Sequence, residues 1–279
     1  MRIFLVLLII GMLTASALTA EQVSLRFHFT PGEQTTYKVS VAGAVLSKVM
    51  SQSQPVQVKG ELLFTQKTLS VDAQGNGELA TAPPSGKLSF TVRGEDLPQA
   101  IPTQALAEKI SPLGKLLSSK GSEGPAGGFT WLGLPGLQKL LTSLQFPLLP
   151  DRAVASGDQW AEKLSLEVGG KNVNVEQKCT LVGFIKVAGR DCAQIRSQAT
   201  LPIELKTPPN PLGMSETMKG NEKIGRMTLF DQQTGRIVRQ ETLLTVLIDT
   251  EIFIPTEAGK QTIPGQLELH LKVSAEAQP

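Results

Sequence analysis

The sequence predicts a mainly-β chain of antiparallel strands, with one or two helices covering the sheet. Three observations predict it. Apolar residues recur at every second position over most of the chain, the period of a half-buried strand. Gly- and Pro-containing turn signals separate these runs. One stretch, Leu134 to Phe146, instead repeats Leu134, Leu137, Leu141 and Leu144 at helical spacing.

The clearest strand signal runs from Gly157 to Thr200, a strand–turn–strand–turn–strand pattern. Its sharpest turn is Val187-Ala188-Gly189-Arg190, where Gly189 supplies the positive φ of a tight hairpin. With Ala188 and Gly189 central, Ile185 faces Cys192 and Gln198 faces Cys179. The two cysteines, the only ones in the chain, are then about 20 Å apart along the ladder. A disulfide needs Cα atoms within about 7 Å, so the hairpin predicts two unpaired, buried thiols. An oxidising compartment argues the other way, for a bond.

Met1 to Ala20 reads as a secretory leader: Arg2, an apolar run from Ile3 to Leu13, then small residues. That run is too short for a spanning helix. Ala15-Ser16-Ala17 is the best cleavage site, and an uncleaved N-terminal anchor is the alternative. No later run is long enough to span a membrane. The expected location is periplasmic or secreted. Lys and Arg total 27 against 25 for Asp and Glu, and loss of the leader removes Arg2. This balance offers no footprint for nucleic acid or anionic membranes. Aromatics are only 5%, so stacking platforms for bases or sugars are scarce.

Taken in order, 21–95 forms an N-terminal β half. Val23 to Phe29 alternates strictly, with Val23, Leu25, Phe27 and Phe29 on one face, and reads as a half-buried strand. Pro31-Gly32 turns the chain into Thr35–Val45. A long strand follows at Val56–Val71, then a turn at Gly75-Asn76-Gly77 and returns at Glu78–Ala82 and Lys87–Arg93. Residues 96–151 are a connecting segment holding the helix at 134–146. Within it, Ala105–Ile110 reads as a helical turn and Lys109–Lys120 equally as a strand, while Ser122–Gly128 is a loop by composition. Residues 152–279 form a C-terminal β half. It includes a Pro-rich loop at Pro202–Gly220 and a hairpin turning at Gln233-Thr234-Gly235. Ile237–Ile254 is expected to bend near Asp249, and Gln266–Val273 is the last strand. Gly32-Glu33-Gln34 before Tyr37 echoes Gly157-Asp158-Gln159 before Trp160, which suggests two related halves.

Catalytic signatures are missing. There is no H-E-x-x-H, no G-x-S-x-G and no phosphate loop. His28 and His270, the only histidines, lie on the outward parity of their strands. Neither a catalytic group, nor a cofactor, nor a metal site is expected. Dispersed carboxylates of a hydrolase remain open, since sequence spacing does not reveal them. One feature is suggestive: Phe129, Trp131, Leu134, Leu137, Leu141 and Phe146 crowd into a short stretch. Either they pack a covering helix onto the sheet, or they line an apolar ligand cavity beneath it.

Several turn and strand-entry motifs carry a resemblance. They are Phe146-Pro147-Leu148-Leu149-Pro150, Ser156-Gly157-Asp158-Gln159-Trp160, Thr180-Leu181-Val182-Gly183-Phe184 and Gly189-Arg190-Asp191-Cys192-Ala193. Phe230-Asp231 with Thr234-Gly235-Arg236-Ile237-Val238 completes the set. Over about Phe146 to Val246 the chain resembles a family of exported bacterial proteins of unknown function. At the fold level such proteins resemble periplasmic lipoprotein carriers. That resemblance implies a curved, incomplete β-barrel with helices on its concave face, and binding of acyl chains. The expected function is therefore a non-catalytic envelope protein that binds or carries a lipid or lipidated protein. The alternative is a structural or protein-interaction module without a small ligand.

Overall fold

The computed structural model describes residues 22–49, 52–99, 105–120, 146–168, 171–207, 209–210, 213–256 and 259–279. These fold into one antiparallel sheet of thirteen strands. The N-terminal strands are β1 (Gln34–Val49), β2 (Gln52–Val71), β3 (Gly77–Thr81), β4 (Ser85–Val92) and β5 (Glu95–Pro98). Then come β6 (Leu106–Ile110) and β7 (Leu116–Lys120). The C-terminal strands are β8 (Gln159–Val168), β9 (Lys171–Val187), β10 (Arg190–Lys206), β11 (Ser215–Asp231), β12 (Arg236–Thr256) and β13 (Gly259–Ala277). The order across the sheet is β7-β6-β3-β2-β1-β13-β12-β11-β10-β9-β8, with β4 and β5 continuing from the other end of β2. The sheet does not close into a barrel.

It nevertheless curls. The hairpin turns β6–β7 and β11–β12 lie six strand steps apart in the sheet, about 29 Å along a flat surface. Yet Phe27 N–H donates to Pro112 O at 2.8 Å in the first turn, and the next residue, His28, donates to Gly235 O at 3.2 Å in the second. Only a sheet bent back towards itself lets consecutive residues reach both turns.

Two apolar clusters fill the inner face. One takes alternate residues of β1, β2, β4 and β8–β13, among them Val58, Phe90, Leu201, Ile224, Val246 and Leu269. The other closes one end, where Phe27 sits edge-on to Phe146 (5.4 Å between ring centres) and to Phe230 (5.1 Å). The period-two reading of burial therefore holds, but one element differs. Val23–Phe29 is not a strand of the sheet: it makes a single bridge, Val23 to Val154. Leu25 and Phe27 are buried because the segment crosses the open end of the curl, and its amides are bonded by three separate loops.

The echo between the halves extends to hydrogen bonds. Gly32 N–H donates to Thr68 O and Thr68 N–H to Glu33 O; Gly157 N–H donates to Leu181 O and Leu181 N–H to Asp158 O. In each case the next residue, Leu69 or Val182, is skipped by the register as a β-bulge. The same holds for the two closing hairpins. Leu117 is skipped opposite Ile110, and Val238 opposite Phe230. Gly114 donates to Ser111 O and Gly235 to Asp231 O, each at 2.9 Å.

Several expectations are corrected. Leu106–Ile110 is a strand, not a helical turn, because β3 pairs with it throughout. No helix occurs among the described residues, and helix positions 134–145 lie outside them. So does the leader. Much of the expected Pro202–Gly220 loop is strand, since Ile203 and Leu205 extend β10 inward to Lys206 and Ser215 opens β11. The irregularity in β12 falls at Val238, at the turn, rather than at Asp249.

Both cysteines are unpaired and buried. Ala188 (φ 48°) and Gly189 (φ 81°) form the expected turn, and Cys192 faces Ile185. Cys179 faces Ser197 rather than Gln198, because the bulge at Val182 consumes one residue.

Candidate functional site: the inner face of the sheet

The five candidate lining residues Phe129, Trp131, Leu134, Leu137 and Leu141 lie outside the described residues. The sixth, Phe146, is a core residue, wedged against Phe27. Its segment is pinned from three sides. Leu148 N–H donates to Gln177 Oε1 (3.3 Å), Trp160 Nε1 donates to Leu148 O (2.7 Å), and Leu149 N–H donates to Leu113 O (2.9 Å). Pocket space near Phe146, beside Phe29, Tyr37 and Arg236, amounts to about 40 Å³. A second pocket of about 270 Å³ lies at the β1–β2 tip around Gln52–Pro55 and Arg93. Both fall below the usual 300–1,000 Å³ range of small-molecule sites.

The unusual chemistry sits on the inner face itself. Along β11, residues 218, 222, 224, 226, 228 and 230 point inward and are buried. Two of them are Glu222, 2% exposed, and Arg226, 5% exposed. Register places Cys179, Ser197, Arg226 and Thr242 in one row across β9, β10, β11 and β12. Arg226 Nε donates to Thr242 Oγ1 at 3.2 Å, but its Nη1 has no partner. Glu222 Oε1 has none either. Glu108 on β6, 1% exposed, leaves both carboxylate oxygens unbonded, opposite the equally unbonded Ser119 Oγ.

Burial without donors disfavours the charged carboxylate. It pushes Glu222 up to about 8 and Glu108 up to about 7. Burial also pushes the Cys179 thiol up to about 12, so it is neutral beside Arg226. Arg226 is lowered to about 10 by burial, which still leaves it a cation at neutral pH. The row therefore carries one positive charge with no anion facing it. Buried polar atoms are satisfied almost everywhere in folded proteins, so these orphans mark the inner face as chemically unfinished.

The two histidines do not take part. His28 and His270 are exposed, and His270 Nε2 contacts Glu268 Oε1 at 2.7 Å on the outer face. Among the described residues no three His, Cys, Asp or Glu side chains gather as metal ligands. No helix there is long and apolar enough to cross a membrane. Sequence reasoning missed Glu222 and Arg226 because it ended the Pro-rich loop at Gly220 and assigned no inward face to the residues that follow it. The available signal was parity: with Phe230 inward, Thr228, Arg226, Ile224 and Glu222 must follow it.

No family model matches the chain, and no curated protein is similar to it.

Proposed function

We propose that this is an exported, non-catalytic protein that binds or carries a lipid or a lipidated protein in the cell envelope. The observation that carries the reading is the inner face: an apolar curl that holds buried polar groups without partners among its packed residues. An apolar face with few polar groups is the usual composition of a lipophilic site. The leader and the absence of catalytic signatures agree with it. So does the resemblance to exported carriers, whose curved sheets hold acyl chains. The two similar halves give such a face its length.

Native mass spectrometry on protein purified from its own envelope tests the reading. A bound mass that extracts into organic solvent is expected. A ligand-free protein that takes up no long-chain probe overturns it.

A second reading, an envelope interaction module without a small ligand, is favoured by the small pockets of about 40 and 270 Å³. It predicts a protein partner recovered by crosslinking and no extractable mass.

A further inference from the structure

We propose that Arg226 is the anchor for the head group of an anionic amphiphile, a hydrocarbon chain ending in a carboxylate or phosphate. This rests on the carrier reading and names its ligand class.

The argument begins with what Arg226 lacks. It lies mid-strand on β11, 5% exposed, with only Nε bonded, to Thr242. Its lateral neighbours are Ser197 and Thr242, which are uncharged, and Cys179 lies one strand further. Glu222 is four residues along the strand, about 13 Å at 3.3 Å per residue, and its own Oε1 is unbonded. A buried guanidinium without a counter-ion is costly. Nη1 is a donor with nothing to receive it, shielded from water on the inner face.

The surroundings decide the rest of the ligand. On one side of Arg226 the next inward row is Ala199, Ile224 and Leu244, all buried and apolar; on the other it is Ile195, Thr228 and Gln240. An ion with its full hydration shell does not belong there; a charged group carried on a hydrocarbon does. The guanidinium fork matches planar carboxylate and phosphate oxygens. Glu222 does not oppose the anion at neutral pH, because burial keeps its carboxyl protonated up to about 8.

The test uses full-length protein and four probes: cis-parinaric acid, its uncharged methyl ester, dodecyl phosphate and inorganic phosphate. The expected result is at least tenfold tighter binding of parinaric acid than of its ester. Dodecyl phosphate should compete with the acid, and inorganic phosphate should not. Arg226→Met should remove the acid-over-ester preference while keeping ester binding, and Arg226→Lys should retain part of it. Where Arg226→Met does not fold, wild-type protein decides. A fatty acid with a diazirine beside its carboxyl should label β10 to β12, and labelling elsewhere overturns the assignment. Equal binding of acid and ester, or a preference that survives Arg226→Met, overturns the inference and leaves the carrier reading standing. Competition by inorganic phosphate overturns the amphiphile. If neither acid nor ester binds, both the inference and the carrier reading fall.

Discussion

Replacing Glu222 by Gln should flatten the dependence of stability on pH. Glu222 is 2% exposed and its Oε1 has no partner, so ionising it in the folded state is opposed by burial alone. Its carboxyl rises from 4.5 to about 8 on folding. Between those values the folded protein keeps a proton that the unfolded chain has released. The contribution of Glu222 to stability is therefore greatest below about pH 4.5, falls as pH rises, and levels off above about pH 8. The whole step is worth at most about 5 kcal/mol, at about 1.4 kcal/mol per pH unit. Water entering the face reduces it, so a measured loss of about 2–4 kcal/mol is the working expectation. Glu108, raised to about 7, adds a loss of the same sign that is complete one unit earlier. Urea unfolding followed by tryptophan fluorescence from pH 5 to 8.5 measures the slope. In Glu222→Gln the slope should drop to the part owed to Glu108 and Glu216, both raised by burial, and Glu108→Gln should lower it further. Wild-type and Glu222→Gln curves that run parallel within about 0.5 kcal/mol would show that the carboxyl meets water or a donor, and the reasoning would fail.

Three further outcomes follow from the packing. Phe230→Ala should cost about 3–5 kcal/mol in denaturant unfolding, since the ring is fully buried and edge-on to Phe27. A double-mutant cycle with Phe27→Ala should return a coupling of about 0.5–1.5 kcal/mol. Gly235→Ala should be more damaging than its size suggests, by at least about 2 kcal/mol of unfolding free energy. Its φ is 64°, and an added Cβ would meet His28 N at 2.5 Å and Arg26 O at 2.7 Å, both backbone. Both thiols should ignore Ellman's reagent in the native protein and react on unfolding, without any reductant; a single thiol count that needs reductant would reveal a disulfide.

Much of the sheet was legible because burial on one face writes itself into every second residue. Val39, Val45, Val58, Leu88, Phe90, Leu269 and Leu271 obey that rule. The tight turn at Ala188-Gly189 was legible for a different reason, the positive φ that its glycine permits. What escaped has physical causes. Alternation records burial, not pairing, so Val23–Phe29 looked like a strand though it only crosses the end of the curl. Bulges add one residue without changing composition, so Val182 slipped the register and Cys179 met Ser197. The polar part of the candidate site escaped because a charged residue normally marks a strand's outer face or its end. Glu222 and Arg226 break that rule, and an element bounded by charge therefore looked finished too early.

The matched hairpins explain how one sheet holds such a face. β1, β2, β3, β6 and β7 repeat the order of β8, β9, β10, β11 and β12, with bulges at matching places and matching β6–β7 and β11–β12 turns. Each set alone would expose an apolar face, and neither has a helix among the described residues to cover it. β13 has no counterpart; it pairs β12 on one side and β1 on the other, stitching the two sets into one surface. Its fit to β1 requires Gly43, where an added Cβ would lie 2.1 Å from His270 O. A bulge increases the local twist of its strand, and four bulges at matched places bend both sets the same way. The curl then brings the β6–β7 and β11–β12 turns together; residues 23–29 bridge them, and Leu149 is bonded to the first. That end is shut by aromatic rings. The polar groups without partners on β11 lie four or more residues from Phe230, away from the rings. The geometry thus separates a sealed, structural end from a face whose charge is left unanswered, and it is the second that a ligand would complete.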